Sequence, residues 1–576
     1  MIKKLMGCLG EYKKYAILTP VIMIGEVIME VLIPFVMAAI IDTGIQGSGG
    51  TAYTVKMGLL MILMALLSLC FGALGGKFAA KAGMGFAKNI RKRLFDKVQD
   101  FSFYNVDKFS TASLVTRLTT DVTNTQNAFM MIIRMGVRAP FMLVGAIIMA
   151  LTISPDLSVV FLVAVPILGI ALVLIVTQAY PRFREMLRRY DAMNASVQED
   201  LTNIRVVKAF VREDYENKKF QEAADSVRKA QIAAEKIVLL NMPIMQLTMY
   251  GCIVAILWFG GNMVIGNTLA IGQLSSFISY ITQILMSLMM LSMIFIMIVI
   301  SRASISRIVE VLDEDIDIKD DTADTSLKVA SGDIEFQNVS FSYAKKDDNL
   351  TLEHIDLRIH SGETIGIIGG TGSAKTSLVQ LIPRLYDVQQ GTVLVGGHDV
   401  RDYEIDHLRQ EVAMVLQKNV LFSGTIKDNL RWGNKDATDE EIIEACKAAQ
   451  AHDFILSFPD GYDTDLGQGG VNVSGGQKQR ICIARALLKK PKIIILDDST
   501  SAVDTATDAK IRQAFKEKLS DTTTIIIAQR ISSVKDADRT IVIDDGKIVA
   551  FDTHDALMKS NEIYREVYDS QQKGDE

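Results

Sequence analysis

The chain has 576 residues and a mean hydropathy of +0.24, and its 61 Lys and Arg against 67 Asp and Glu give a net charge of −6. A disordered protein would have fewer apolar residues than the 49% found here, and a nucleic-acid-binding protein would carry a basic excess. Five cysteines without a CxxC pair or regular spacing exclude a disulfide-stapled secreted domain and offer no zinc site. The positive hydropathy indicates a membrane-embedded part.

The first half of the chain contains six apolar stretches, each suited to the roughly 20 helical residues that cross a bilayer core. The predicted spans are residues 16–41, 57–80, 137–153, 157–178, 237–260 and 273–300. The first apolar run is too long for a cleaved signal peptide, so we expect it to remain in the protein.

The loops predict an orientation. The segments after the second and fourth spans, residues 80–136 and 179–236, hold nine and twelve Lys and Arg, whereas the segments after the first, third and fifth spans hold only Lys56. The positive-inside rule therefore places both long segments and both chain termini in the cytoplasm. The amphipathic patterns of these two long segments predict helices that extend about 40 Å from the bilayer. Extensions of that length need another part of the protein to contact.

The pattern changes after the acidic stretch 312–325, which is typical of a solvated linker. Beyond it, short β-rich runs alternate with helical patterns, which indicates an α/β domain with a mainly parallel sheet. We therefore predict a six-helix transmembrane domain over residues 1–311, a linker over 312–329 and an α/β domain over 330–576.

A phosphate-binding loop is predicted where the strand TIGIIGG leads through GGTGSAKT into a helix. The backbone N–H groups of residues 370–375 would surround the phosphates of a nucleotide, Lys375 would reach its β- and γ-phosphates, and Thr376 would hold Mg²⁺. The usual glycine before the lysine is Ala374, and because alanine tolerates negative φ we expect the loop to remain intact. The candidate nucleotide-binding residues of this loop are Gly369, Gly370, Thr371, Gly372, Ser373, Ala374, Lys375, Thr376 and Ser377.

Two further motifs follow. KIIILDD is an apolar strand that ends in two carboxylates, with Asp497 placed to bind Mg²⁺ and Asp498 in the position of a general base. VSGGQ places Ser474, Gly475 and Gly476 at the start of a helix, where backbone N–H groups can bind phosphate oxygens.

With these motifs the chain resembles the ATP-binding cassette (ABC) exporters over essentially its whole length, as a half-transporter with one membrane domain and one P-loop nucleotide-binding domain. The resemblance implies ATP and Mg²⁺ as cofactors, and pairing of two cassettes so that each ATP lies between one chain's Walker motifs and the other chain's signature. It assigns Ser474, Gly475, Gly476 and Gln477 to the partner's ATP and Gln417 to the Q-loop contact with Mg²⁺. Residues 499–504 resemble the D-loop, and segments 104–111 and 205–212 resemble the coupling segments.

One further residue of the cassette has two interpretations. Tyr343 lies 26 residues before Gly369, where the family stacks an aromatic ring on adenine. Its alternative role is packing within the sheet.

Two departures from the family pattern stand out. Asp498 occupies the position of the Walker B glutamate and Gln529 that of the switch histidine. The aspartate is one methylene shorter, and misplacement of a general base by about 1 Å can cost on the order of 10²-fold in rate. Gln529 can donate a hydrogen bond but cannot become cationic. This chain's Walker site should therefore bind ATP and hydrolyse it poorly.

The departures all fall in one composite site, whereas the VSGGQ motif that serves the other site is intact. This predicts a heterodimer whose partner supplies the glutamate and the histidine; a slow homodimer is the alternative. We expect an exporter of hydrophobic or amphipathic compounds, such as drugs, in the bacterial plasma membrane. A lipid or peptide exporter or flippase, or a channel-like ATP-gated protein, are the rivals, and no nucleic-acid partner is expected.

Charged residues within the predicted spans are the remaining candidates. Glu26 and Glu30 lie one helical turn apart, beside Pro34, so they either form a cation-attracting patch in the substrate cavity or a hydrogen-bonded structural pair. Arg134 and Arg138 are expected to be snorkelling anchors at the cytoplasmic membrane edge. The frequent methionines of the spans suit either a promiscuous cavity or ordinary packing.

Overall fold

The structure is a computed structural model that describes residues 2–321, 323–344, 349–498 and 503–572. The chain divides into two compact units. The first comprises Met1–Gln99 and Ser110–Glu314, and the second comprises Asp100–Phe109 and Asp315–Glu576. The division between Glu314 and Asp315 lies within the predicted linker, but the short segment Asp100–Phe109 belongs to the second unit although it lies in the sequence predicted for the membrane domain.

In the described part of the first unit, helices make up all of the regular secondary structure. Its helices are α1 (Ile2–Met6), α2 (Lys13–Ala39), α3 (Gly50–Gln99), α5 (Thr111–Thr116), α6 (Val122–Ile153), α7 (Pro155–Thr202), α8 (Ile204–Ala209), α9 (Glu213–Leu239), α10 (Asn241–Ile265) and α11 (Ile271–Asp313), and α4 (Phe103–Phe109) belongs to the second unit. A 3₁₀ segment covers Gly7–Tyr12, and π-helical turns cover Ile40–Ile45 and Arg117–Asp121.

Among the described residues, six helical stretches of this unit are long and apolar enough to cross a membrane, which confirms the six predicted spans. They are Lys4–Ile45, Gly50–Gln99, Thr111–Ile153, Pro155–Thr202, Glu213–Ile265 and Ile271–Asp313. A helix suits this role because it satisfies its own backbone hydrogen bonds where the bilayer core provides no water.

Helices α2 and α11 are joined by a row of polar contacts. Ser276, Tyr280 and Gln283 of α11 each donate a hydrogen bond to a backbone carbonyl of α2. Ser276 Oγ donates to the carbonyl of Pro34 at 2.6 Å, and Gln283 Nε2 to that of Glu30 at 3.2 Å. Proline has no N–H, so Pro34 leaves the carbonyl of Glu30 without its usual helical partner. Gln283 supplies the missing donor.

The second unit contains a mixed six-stranded sheet. Its strands, with those of two smaller antiparallel sheets, are β1 (Ile334–Phe341), β2 (Leu352–Ile359), β3 (Thr364–Ile368), β4 (Gln390–Val395), β5 (His398–Asp399), β6 (Val412–Val415), β7 (Gly424–Thr425), β8 (Asp465–Leu466), β9 (Ile493–Asp497), β10 (Thr523–Ile527), β11 (Arg539–Asp544) and β12 (Lys547–Asp552). The six-stranded order is β12-β11-β3-β10-β9-β6, in which all neighbours except β12 and β11 are parallel. The orders of the smaller sheets are β2-β1-β4-β5 and β7-β8. The predicted α/β domain with a mainly parallel sheet is thereby confirmed.

The central strands are apolar on both faces because the sheet is covered on both sides. Ile493 and Ile495 belong to one buried cluster, whereas Ile494 and Leu496 belong to another. The helices of this unit are α12 (Lys375–Gln380), α13 (Ile405–Glu411), α14 (Ile426–Arg431), α15 (Asp439–Ala448), α16 (His452–Leu456), α17 (Gly475–Leu488), α18 (Thr505–Lys518), α19 (His554–Ser560) and α20 (Glu562–Gln572).

The predicted solvated linker is partly wrong, because described residues of it pack within the second unit. Ile318 is only 6% exposed, and Asp317 accepts a hydrogen bond from Ser102. The Nδ2 atom of Asn105 donates to the carbonyl of Asp315 at 2.9 Å. The segment Asp100–Phe109 is therefore held to the start of the second unit by side-chain hydrogen bonds that an acidic composition alone does not reveal.

Candidate functional site

The phosphate-binding loop lies between the end of β3 at Ile368 and the start of α12 at Lys375. Lys375 Nζ donates to the carbonyls of Gly369 and Gly370 at 2.9 and 2.7 Å, so its ammonium group lies over the loop. Burial lowers the pKa of Lys375. A side chain at Gly369 would put its Cβ 2.1 Å from the carbonyl oxygen of Ile543, so only glycine fits there.

Ala374 adopts a left-handed backbone conformation, which differs from the one predicted from the sequence. Its φ of 73° and ψ of 21° are left-handed, whereas we expected alanine to keep the loop intact at negative φ. The Cβ of an L-residue in this region lies too close to the following carbonyl, which costs roughly 1–2 kcal/mol. The loop therefore keeps the backbone that suits glycine, and Ala374 bears the strain.

The end of β9 places a carboxylate beside the loop. Thr376 Oγ1 donates to Asp497 Oδ1 at 3.0 Å, and Asp497 is only 2% exposed. Burial raises the pKa of Asp497, and the nearby Asp498 carboxylate raises it further. A hydroxyl and a carboxylate in contact are the oxygen ligands that Mg²⁺ prefers, so these residues fit a nucleotide-bound Mg²⁺ ion.

The two residues that depart from the family pattern touch each other. Gln529 Nε2 donates to Asp498 Oδ2 at 2.8 Å. The backbone N–H of Asp498 donates to the carbonyl of Ile527 at 3.0 Å, and its own carbonyl accepts from Gln479 Nε2 at 3.3 Å. Asp498 is thus fixed through its backbone between β10 and the helix α17, and its side chain faces Gln529.

The signature motif is formed at the start of α17. Ser474 is the N-cap, where its hydroxyl accepts from the N–H of Gln477 at 3.3 Å. The side chain of Gln477 accepts from the N–H of Ser474 at 2.8 Å, which completes a capping box. The backbone of Gly475 and Gly476 forms the first turn of the helix, whose N–H groups and dipole favour an anion.

Tyr343 has features of both roles considered for it. Its ring packs edge-on against Phe341 and Tyr386, with centroid distances of 4.8 and 5.1 Å, and its hydroxyl contacts Ser377 Oγ at 2.9 Å. The residue is still 39% exposed. The structure therefore fixes the orientation of the ring and leaves part of it accessible. Burial of the hydroxyl raises its pKa.

The structure gives less information on two other predicted parts of the site, Gln417 and the D-loop. Gln417 follows β6 by two residues and is exposed. Most of the predicted D-loop, residues 499–502, lies outside the described part of the chain.

The first predicted coupling segment contacts the cassette fold within the second unit, as expected. The hydroxyl of Tyr386 donates to Asp107 Oδ2 at 2.8 Å, and the ring of Phe103 lies 6.0 Å from that of Tyr386. Sequence reasoning missed Tyr386, whose only signal was its place in LIPRLY after the phosphate-binding loop. Because Tyr386 also packs against Tyr343, a single residue contacts both the coupling segment and the candidate adenine-stacking ring.

Within the first unit, Glu26, Glu30 and Arg138 form one charged cluster. Arg138 Nη2 lies 2.7 and 2.8 Å from the two carboxylate oxygens of Glu30 and 3.6 Å from Oε1 of Glu26. The prediction that Arg138 is a snorkelling anchor is therefore wrong, because its guanidinium pairs inside the bundle. Glu26 is 7% exposed and lies against Gly72, where a Cβ would be 3.3 Å from its carboxylate.

Comparisons with known proteins agree with this geometry. Residues 17–289 match the family described as the ABC transporter transmembrane region, and residues 352–501 match the ABC transporter family. YfiB, an ABC transporter ATP-binding protein of Bacillus subtilis, is 38% identical over 99% of this chain and 98% of its own length. A lipid A-core flippase of Desulfotalea psychrophila is 33% identical over 85% of each chain.

The solved structure of a bacterial Atm1-family ABC exporter with ATP bound aligns over 97% of this chain and 98% of its own, with a TM-score of 0.82 and 25% identity. The fold and site thus define a membrane transporter powered by an ATP-binding cassette. The chain belongs to the ABC transporter family, and it is a multi-pass ABC exporter with one transmembrane region and one ATP-binding domain.

Proposed function

We propose that this chain is the degenerate-site subunit of a heterodimeric ABC exporter. Its own Walker motifs hold ATP and Mg²⁺ in a site that hydrolyses slowly. Its signature residues complete the fast site, whose glutamate and histidine come from a second, different chain. A homodimer with two slow sites is the alternative.

The observation that carries this proposal is the hydrogen bond between Gln529 and Asp498. A general base must reach an attacking water at about 2.6–3.2 Å. The short side chain of Asp498 instead meets the amide of Gln529, which can neither take up a proton nor carry a charge. The two departures therefore form one local arrangement, while the capping box around Ser474 keeps the signature helix in the form that a partner's ATP requires.

The residues of this chain have separate roles in ATP binding. Lys375 and the loop N–H groups hold the phosphates, Thr376 and Asp497 hold Mg²⁺ together with Gln417, and Tyr343 packs on the adenine. Bound ATP supplies the phosphoanhydride whose hydrolysis powers transport. Closure of the paired cassettes moves the coupling segment through Tyr386 and Asp107, and the membrane helices then open to the outside.

The direct test is purification of the exporter through a tag on this chain. We expect a second ABC half-transporter to co-purify in equal amount and to carry the standard Walker B glutamate and switch histidine. Vigorous ATPase activity from this chain alone, with no second chain present, would contradict the proposal.

We further propose that the chain lies in the plasma membrane with both termini and the cassette in the cytoplasm, as the loop charges predict. The second coupling segment, residues 205–212, then faces the cassettes. Support comes from its apolar tip, where Phe210 and Val211 are 74% and 80% exposed and need a covering surface. Cysteine pairs that join this tip to the neighbourhood of Gln417, within the chain or across the dimer, should crosslink.

The transported class is proposed as hydrophobic or amphipathic compounds. YgaD of Bacillus subtilis, 34% identical over 99% of each chain, is named for multidrug export, and the flippase relative is named for lipid A-core. A lipid translocase is therefore the second candidate. ATPase stimulation that depends on the lipid headgroup, with none by drugs, would favour it.

We propose that Glu26 and Glu30 lie beside the transport path, and that Glu30 is the accessible member. The side chains of Glu30 and Arg138 are 27% and 19% exposed, against 9% for Glu26. Among the described residues, Oε2 of Glu26 has no hydrogen-bond partner. Because Arg138 neutralises Glu30, a cationic substrate would have to compete with a guanidinium for that carboxylate. The buried Glu26 then adds a second carboxyl to the cluster, 3.6 Å from Arg138.

A further inference from the structure

The last turn of the C-terminal helix α20 lies beside the loop that carries Gln529. Gln571 Nε2 donates to the backbone carbonyl of Gln529 at 2.8 Å, and Gln571 Oε1 accepts from the backbone N–H of Ile531 at 2.9 Å. One side-chain amide thus binds the main chain on both sides of Arg530. A chain of hydrogen bonds runs from α20 through this loop to Asp498, because Gln529 donates to that carboxylate.

We infer that Gln571 is a positioning residue for the ATP site. It fixes the backbone of the switch loop, residues 529–531, so that the side chain at position 529 reaches the residue after the Walker B strand. Gln529 itself is exposed, so packing around its side chain contributes little to holding it in place. The two backbone contacts of Gln571 provide that restraint.

Helix α20 is well placed for this role because its opposite end is anchored. Tyr564 is fully buried in the hydrophobic cluster that includes Ile531, and its hydroxyl contacts His554 Nδ1 at 2.8 Å. Tyr564 and Gln571 are seven residues apart, which places them on one face of the helix. The buried anchor therefore directs Gln571 towards the loop.

The side-chain amide of Gln571 can make both backbone contacts because it has a donor and an acceptor in fixed geometry. Glutamate would keep the acceptor for Ile531 but lose the donor to the carbonyl of Gln529. Alanine would lose both. The neighbouring Gln572 offers a matched control, since its amide is exposed and, among the described residues, donates within the helix to the hydroxyl of Tyr568 at 3.1 Å.

The first measurement is hydrogen–deuterium exchange of the switch loop in the purified exporter. Gln571→Ala should speed exchange of the Ile531 amide by about fivefold or more, because that N–H loses its acceptor. Gln571→Glu should speed it less, and Gln572→Ala should leave it unchanged. Equal exchange in the wild type and Gln571→Ala would overturn the inference.

The second measurement is steady-state ATP hydrolysis in two backgrounds, the native chain and the Asp498→Glu/Gln529→His variant, which restores the family's residues. The effect on turnover rests on the proposed function, because a slow site contributes little to the total. In the restored background, Gln571→Ala should lower kcat about threefold or more with KM for ATP unchanged, and Gln572→Ala should have no effect.

The results separate the inference from the proposed function. If Gln571→Ala lowers kcat in the restored background and not in the native one, the result supports both the positioning role of Gln571 and the slow native site. A fall of similar size in the native background supports the positioning role and contradicts the slow site. Unchanged kcat in both backgrounds, or an equal rise in KM for ATP that points to general loosening of the cassette, would overturn the positioning role.

Discussion

Gln529 donates a 2.8 Å hydrogen bond from Nε2 to Oδ2 of Asp498, so the two residues that depart from the family's hydrolytic pattern are direct partners. The contact explains why the departures occur together. An aspartate is one methylene shorter than a glutamate and leaves room for an amide, and a glutamine in the switch loop satisfies the carboxylate without adding charge. In the proposed function, ATP binding depends on Lys375, Thr376 and the other residues of the phosphate-binding loop, so this pairing should not affect it.

The proposed asymmetry of the two ATP sites predicts unequal effects of two substitutions. Asp498→Asn should leave more than half of the ATPase activity of the purified pair, because little hydrolysis passes through this site. Replacing the partner's Walker B glutamate by glutamine should lower turnover by about 10²-fold or more, since it removes the well-placed base. Steady-state ATPase activity of the purified pair measures both effects. Equal loss of activity from both substitutions would mean that the two ATP sites are equivalent.

A companion substitution tests the signature of this chain. Gly475→Trp should lower turnover as severely as loss of the partner's base, because the side chain would crowd the phosphates in the fast site. The helix start should tolerate the change structurally, since position 475 is exposed and the cap is made by Ser474 and Gln477. A mild effect of Gly475→Trp on turnover would indicate that this signature does not serve the main hydrolytic site.

The strain at Ala374 predicts a gain from glycine. Ala374→Gly should relieve roughly 1–2 kcal/mol of left-handed strain, offset by about 0.4–1 kcal/mol from the greater freedom of glycine in the unfolded chain. We expect a net stabilisation of about 1 kcal/mol, seen as a higher Tm, and ATP binding at least as tight as in the wild type. Gly372→Ala, at a φ of 84°, is the matched control and should destabilise. A lower Tm for Ala374→Gly would contradict the strain.

The sequence was sufficient for features that depend on local pattern. The strand KIIILDD is apolar at every core position, because both of its faces are covered, and the motifs at the ends of β3 and β9 meet because parallel strands share an edge. The sequence was insufficient for contacts between side chains that are distant in sequence. Nothing in the run containing Arg138 indicates that Glu30 lies within 2.7 Å of it, and the φ of Ala374 depends on the loop as a whole.

The contact between Tyr386 and Asp107 predicts a defect in coupling rather than in ATP binding. Tyr386→Phe removes the hydroxyl donor but keeps the ring that packs on Tyr343, so affinity for ATP should stay within about twofold. Loss of the donor leaves the carboxylate of Asp107 with one partner fewer and should weaken docking of the segment by about 1.5–3 kcal/mol, the range for a hydrogen bond to a charged group. Stimulation of ATPase by substrate should fall, while the basal rate persists. Asp107→Asn in the Tyr386→Phe background should add little; a fully additive effect would show that the two residues act separately.

The charged cluster of the membrane domain predicts which substitutions the fold tolerates. Glu30→Gln leaves Arg138 without its main partner in a site of low polarity, and breaking a buried ion pair in this way typically costs about 3–5 kcal/mol. Glu30→Gln/Arg138→Gln removes both members of this pair, leaves Glu26 as the one carboxyl of the cluster, and should restore part of the stability. Thermal unfolding of the purified exporter measures both effects, and Glu26→Gln in the same assay reports how far the second carboxyl of the cluster contributes to stability.

The same double variant separates folding from recognition of substrate. Because Glu30→Gln/Arg138→Gln does not leave Arg138 without its main partner, a loss of transport confined to cationic amphiphiles, with neutral ones unaffected, would assign Glu30 to the transport path. The control is Lys4→Gln/Asp313→Asn, which removes an exposed ion pair of the same unit and should alter no substrate preference. Equal transport of cationic and neutral compounds by the stable double variant would restrict the Glu30–Arg138 pair to a structural role, because a substrate contact cannot be removed without changing which compounds are carried.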